Sequence, residues 1–216
     1  IAGAGPGEGL PTRCVYLSAG LLSGFTLSNG SAMVEEALWE DGHGGGAYMP
    51  NNRGTLSNCI ICCNAAAYDG GGTYRGTVLG CVISSNKAMR YGGGAAGGVL
   101  QDCIISNNSA PGGGAAKNTV IINCMITDNH AGWGGGAYDC SISNSTIWGN
   151  RATSAGGMYI GTAHNSSIWG NRAAHQGGGA YYSHLFNCTV SGNCAGQRGS
   201  GVADAVVKNS IVYCND

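Results

Sequence analysis

Nine asparagines recur in this chain at intervals of 21 or 22 residues, after a first gap of 35: Asn29, Asn64, Asn86, Asn108, Asn129, Asn150, Asn171, Asn193 and Asn215. The residues around them recur as well, so the chain is an array of similar coils. Any reading of its function has to begin from that array.

With the Asn as anchor, fixed columns emerge. Five residues before it stand Gly24, Cys59, Cys81, Cys103, Cys124, Ser145, Ser166, Cys188 and Ser210, all small. Three before it stand Thr26, Ile61, Ile83, Ile105, Ile126, Ile147, Ile168, Val190 and Val212, all β-branched. Eight before it run Leu56, Val78, Leu100, Ile121, Ile142, Ala163, Leu185 and Val207, and two after it run alanines from Ala66 to Ala195. A glycine cluster follows, such as Gly70-Gly71-Gly72 or Gly112-Gly113-Gly114. Two residues beyond it comes an aromatic or Ala: Tyr48, Tyr74, Ala96, Ala116, Tyr138, Tyr159 and Tyr181.

Columns two residues apart have strand parity and face one side. The short runs between them are rich in Ile, Val and Thr and bounded by Gly and Asn, which favours strands. No stretch shows an apolar stripe of helical spacing and length. A leucine-rich repeat would need several leucines per unit and far fewer glycines. The expected fold is therefore all-β, a single-stranded parallel β-helix of about nine coils. Stacked roughly 4.8 Å apart, those coils give a rod about 40 Å long. Residues 1–43 read as N-terminal coils with an acidic insertion, and 44–216 as regular repeats of the same solenoid. In register, the Asn amides are expected to form a ladder and to tolerate left-handed turn geometry.

Composition narrows the function classes. Only 10% of residues are charged and the net charge is −1, which gives no reason to expect nucleic-acid or membrane-surface binding. No apolar run approaches the roughly 20 residues of a membrane span. The chain begins without Met and inside the pattern, so a processed or partial chain is expected, with open ends otherwise covered by neighbouring subunits. Eleven cysteines invite a disulfide reading. Stacked in register, those of the Cys59 column would hold their Cβ atoms about 4.8 Å apart, beyond the preferred 3.5–4.5 Å. They read instead as small buried hydrophobes.

The stretch from Gly70 to Asn86, GGGTYRGTVLGCVISSN, resembles the right-handed parallel β-helix repeat proteins of the pectin-lyase-like superfamily. The stretch from Arg13 to Gly30, followed by Gly-Gly-Gly-Ala-Tyr coils, is similar to large secreted or surface β-helix proteins of bacteria. The resemblance implies the fold, its right-handed sense and an extracellular setting. It implies no activity, because this fold hosts lyases, hydrolases, adhesins and passive stalks.

Three sets of residues stand out as candidate sites. The insertion 31–43 carries Glu35, Glu36, Glu40, Asp41 and His43, a cluster suited to Ca²⁺ or acid–base chemistry, though a solvated acidic loop is the plainer reading. The duplicated Ile-Trp-Gly-Asn-Arg-Ala segment places Trp148 and Trp169 outward on adjacent coils, with Arg151 and Arg172 stacked beside the Asn ladder. Aromatics beside cations suit a sugar or acidic polysaccharide, while an aromatic ladder between strands needs no ligand. Tyr138, Tyr159 and Tyr181 read as cover for the solenoid flank. His164, His175 and His184 fall in different columns, so no metal set is expected.

A polysaccharide lyase or hydrolase needs paired carboxylates, or a base with Ca²⁺, on one face of consecutive coils. Coils three to eight offer Asp69, Asp102, Asp128 and Asp139, in four different columns. The expectation is a non-catalytic extracellular protein without cofactor: a stalk, adhesin or filament subunit whose partner is another copy or a polysaccharide. Asn64, Asn86, Asn108, Asn129, Asn150, Asn171 and Asn193 are expected to be its structural ladder.

Overall fold

The structure is a computed structural model that describes residues 1–2, 12–32 and 42–216. All sheet pairings between named strands are parallel, and they join each coil to the next. One coil shows the plan. Thr77–Leu79 lies in a wide sheet, Val82–Ser84 in a nine-stranded sheet and Lys87–Ala88 in an eight-stranded one. A glycine turn then returns the chain to the wide sheet at Ala95–Ala96. Each coil thus gives the wide sheet two short segments and carries four strands in all. In three later coils the two segments fuse into the seven-residue strands Ala137–Ser143, Met158–His164 and Ala180–Phe186. The stack makes about eight turns, since nine strands on one face enclose eight complete windings rather than nine.

The core is as narrow as the columns require. Leu27, Ile61, Ile83, Ile105, Ile126, Ile147, Ile168 and Val190 form one fully buried file, and Leu56, Val78, Leu100, Ile121, Ile142, Ala163 and Leu185 form a second. Burying one such aliphatic side chain contributes roughly 1.5–3 kcal/mol. Files of this kind are what offset the backbone entropy lost by so many ordered glycines.

The asparagine file is the polar counterpart, and it lies inside. Asn64 through Asn193 are all buried. Each carboxamide does two jobs. Asn108 Nδ2 donates to the Ile83 carbonyl of the preceding coil at 2.9 Å and to Asn129 Oδ1 of the next at 3.0 Å. The same Asn129 Oδ1 accepts the Asn108 backbone N–H at 2.9 Å. This pattern runs unbroken from Asn64 to Asn215. It replaces the backbone bonds that the corner between two sheets would otherwise leave unmade.

Several positions fall one residue from where the periodicity places them. Asn29 is not a rung: Ser31 pairs with Ala65, so Gly30 takes the rung position and donates its N–H to Asn64 Oδ1 at 2.8 Å. Likewise Leu27, not Thr26, joins the inward file, and Phe25 rather than Gly24 stands level with Cys59. Left-handed backbone geometry also lies elsewhere. The rungs do not adopt it; the residues before them do, as at Cys63, Ser85, Asn107 and Asp128. The fourth glycine turn begins at Gly113, so Ala115 fills the third glycine place and Lys117, not Ala116, enters the tyrosine file.

The glycine turns are set by two different constraints. Only the first residue of each turn has positive φ, and Ala155 takes that place once, at φ 59°. The second glycine is there for space: a Cβ on Gly135 would lie 2.5 Å from both the Arg151 and the Gly156 carbonyl oxygens.

The cysteine file is free of disulfides among the described residues, as are the other cysteines. Its chemistry is more polar than a file of small hydrophobes. Cys124 Sγ accepts the Cys103 N–H at 3.4 Å and lies 3.2 Å from the Ile122 carbonyl, to which its thiol donates. Ser145 Oγ accepts the Cys124 N–H at 3.0 Å and donates to Ser143 O at 2.7 Å. Cys and Ser can replace one another here because both donate and accept from one short arm. Burial pushes the Cys81 thiol up to about 12, and does the same for Cys140 in a neighbouring file.

Candidate functional site

The tryptophan face is built by the nine-stranded sheet and the corner that follows it. Thr146–Trp148 pairs in register with Ser167–Trp169, and one corner later Arg151 pairs with Arg172. The indole rings lie 5.1 Å apart at 5°, and Trp169 is 44% exposed. Rings that close and parallel are stacked on one another along the rod axis, not laid flat side by side. Two of their four faces are therefore consumed by the stack, and only the outer faces and edges remain for a ligand. Arg151 and Arg172 are exposed, with His130 in register beside Arg151. No hydrogen bond or ion pair engages either guanidinium among the described residues. The tryptophans are thus level with each other on adjacent coils, as are the arginines, and the Asn corner separates the two pairs.

The acidic residues Glu35, Glu36, Glu40 and Asp41 lie outside the described residues. At the edge of that segment sits a cluster that periodicity alone does not reveal. His43 is buried, stacked on Tyr74 with centroids 4.2 Å apart. Its Nδ1 accepts the Asp69 backbone N–H at 3.2 Å, which leaves the ring proton on Nε2. Asp69 is held by Arg90 through Nε at 2.8 Å and Nη2 at 2.6 Å, a bidentate pair. Arg90 in turn lies over the Tyr68 and Tyr91 rings. Burial holds the His43 imidazole below its ordinary value of 6.5, and the Asp69 charge opposes that only in part. Periodicity points to Tyr91 instead, which lies 22 residues on and is level with Asp69; Arg90 is one residue short of that register.

The remaining carboxylates stay apart. Asp69, Asp102, Asp128 and Asp139 occupy four different register files. Asp102 accepts from Asn123 and Gln101, and Asp128 accepts from the Thr127 hydroxyl. Asp139 borders a shallow groove of about 280 Å³ lined by Thr119, Cys140, Ser141 and Thr162, where Gly161 leaves its file without a side chain. One carboxylate in that groove does not supply an acid and a base together. No set of three or more His, Cys, Asp and Glu suited to a metal ion occurs among the described residues. Of the histidines, His164 stacks on Phe186 at 4.8 Å, and His184 lies in another file.

The tyrosine file covers the flank beyond the glycine turns. Tyr138, Tyr159 and Tyr181 follow one another at 5.3 and 5.6 Å, and the Lys117 ammonium lies 5.3 Å from the Tyr91 centroid and 5.7 Å from that of Tyr138. Among the described residues, no helix is long and apolar enough to cross a membrane.

No family model, no curated protein and no solved structure matches this chain.

Proposed function

We propose that this chain is a non-catalytic structural protein of the cell exterior, a stalk, adhesin or filament subunit built on a rigid β-solenoid. The carrying observation is the unbroken asparagine ladder. The most regular polar chemistry of the chain is turned inward and spent on holding one coil to the next. The resemblance to pectin-lyase-like β-helix proteins supports the extracellular setting and a right-handed coil. Incubation with pectin, alginate and related polymers should give no new reducing ends and no unsaturated products. Turnover that disappears when Glu35, Glu36, Glu40 and Asp41 are changed together to amides would overturn this reading.

A second reading is favoured by one specific feature, the exposed Trp169 ring one corner away from two in-register arginines. An acidic oligosaccharide would lie against the outer indole face, with Arg172 reaching its carboxylates. Quenching or shift of tryptophan fluorescence by oligogalacturonate, abolished in Trp169→Ala, supports it; an unchanged spectrum at saturating sugar rejects it.

A further inference from the structure

The outward face of the nine-stranded sheet carries two side-chain files, and neither contains a charged residue. The first runs Thr26, Ile60, Val82, Ile104, Met125, Thr146, Ser167, Thr189 and Ile211. The second, two residues on, runs Ser28, Cys62, Ser84, Ser106, Thr127, Trp148, Trp169, Ser191 and Tyr213. Up to the last coil, where Ile211 and Tyr213 are both large, the two files are large in opposite halves. Ile60, Val82, Ile104 and Met125, exposed by 47, 36, 43 and 43%, form a ridge in the first file beside small residues in the second. The tryptophans form the ridge in the second file beside Thr146 and Ser167 in the first. The face is therefore a ridge and a groove that exchange sides midway along the rod.

We infer that this face pairs with the same face of a second copy about a two-fold axis. Isologous contact requires a surface to fit itself, and this one does. With the axis along the strands, the aliphatic ridge of one copy enters the Thr146–Ser167 groove of the other, and its tryptophans meet Ser84 and Ser106. With the axis along the rod, each ridge enters the small-residue file beside its counterpart. Both senses place large against small at these coils. A second copy is also the occupant that fits the charge pattern. A charged partner would find no complement in eighteen outward positions, and a second copy buries none of its own.

Area sets the strength. Nine strands of about 10 Å, spaced roughly 4.8 Å, offer on the order of 400–500 Å² per copy. That totals about 800–1,000 Å², the size of weak, transient contacts. The pairing is weak and reversible, in the micromolar range. This inference deepens the structural reading by naming its partner and face, and rests on it for the view that the rod works by association.

Sedimentation equilibrium of the chain tests it, under reducing conditions because Cys63 and Cys214 are exposed. The wild type should show a monomer–dimer equilibrium. Ile104→Glu and Trp169→Glu, both outward and leaving circular dichroism unchanged, should each weaken it tenfold or more. Val120→Glu, equally exposed on the wide sheet, should leave it intact. A wild type monomeric throughout, or a dimer indifferent to both face variants, overturns the inference. So does a monomer that sediments with zwitterionic lipid vesicles, since a membrane would then be the occupant. Polymer turnover would overturn the structural reading instead, so the two failures are distinguishable.

Discussion

At the scale of single residues, the account turns on which buried polar groups have partners. Asn129 accepts from the Asn108 N–H and side chain, and donates to Ile105, Thr127 and Asn150. Asn129→Ala should destabilise the fold by about 3 kcal/mol in chemical denaturation, because it strands several buried groups at roughly 1–3 kcal/mol each. In the thiol file, Cys124→Ser should be near neutral while Cys124→Ala costs about 1–2 kcal/mol by the same assay, since only the hydroxyl keeps the Cys103 N–H partnered. If both behaved alike, the file would be hydrophobic after all. The His43 imidazole supplies the pH prediction. Its folded value lies below 6.5, so under acid the unfolded chain binds the proton first, and stability present above about 6.5 falls as pH drops through the folded value. His43→Leu should flatten that acid limb of a stability–pH profile. The rung column, the inward Ile/Val file and the Ala file were legible in the sequence because their interval is constant. Asn29 and Ala116 were misplaced where it is not: Gly30 takes the first rung, and Ala115 displaces a turn glycine. The His43–Asp69–Arg90 cluster escaped because it joins three coils across side-chain directions that periodicity does not give.

At the scale of the turn and the coil, the glycines separate into two kinds. Gly135 is needed for space, with two carbonyl oxygens 2.5 Å from where a Cβ would stand, and both belong to backbone that cannot swing away. Gly192 is needed only for its φ of 60°, since the nearest atom to its Cβ position is 3.8 Å off. Gly135→Ala should therefore cost more than about 3 kcal/mol or prevent folding, whereas Gly192→Ala should cost only about 1–2 kcal/mol, the ordinary left-handed penalty. Thermal melts of the two variants, side by side, check the ordering. Close backbone approach between coils is a property of the stack and has no signature within one repeat.

At the scale of the whole molecule, each coil touches only its neighbours, so stability accumulates along the rod and a rung carries information one coil at a time. The fold was readable in outline because a repeat makes every coil a copy of the same evidence. Of the candidate sites, the tryptophan pair was legible because its segment is duplicated, whereas the ridge that changes file and the His43 cluster depend on which side chains face outward or meet across coils. The most direct test of the account is the register itself. In a chain with asparagine selectively labelled with ¹⁵N and ¹³C, nuclear Overhauser spectra should link each buried carboxamide to the next rung, Asn86 to Asn108, Asn108 to Asn129, Asn129 to Asn150. Those carboxamide protons should also exchange slowly with solvent. Links that instead join asparagines at other spacings, or carboxamides that exchange as fast as exposed Asn144, would contradict the stacked solenoid.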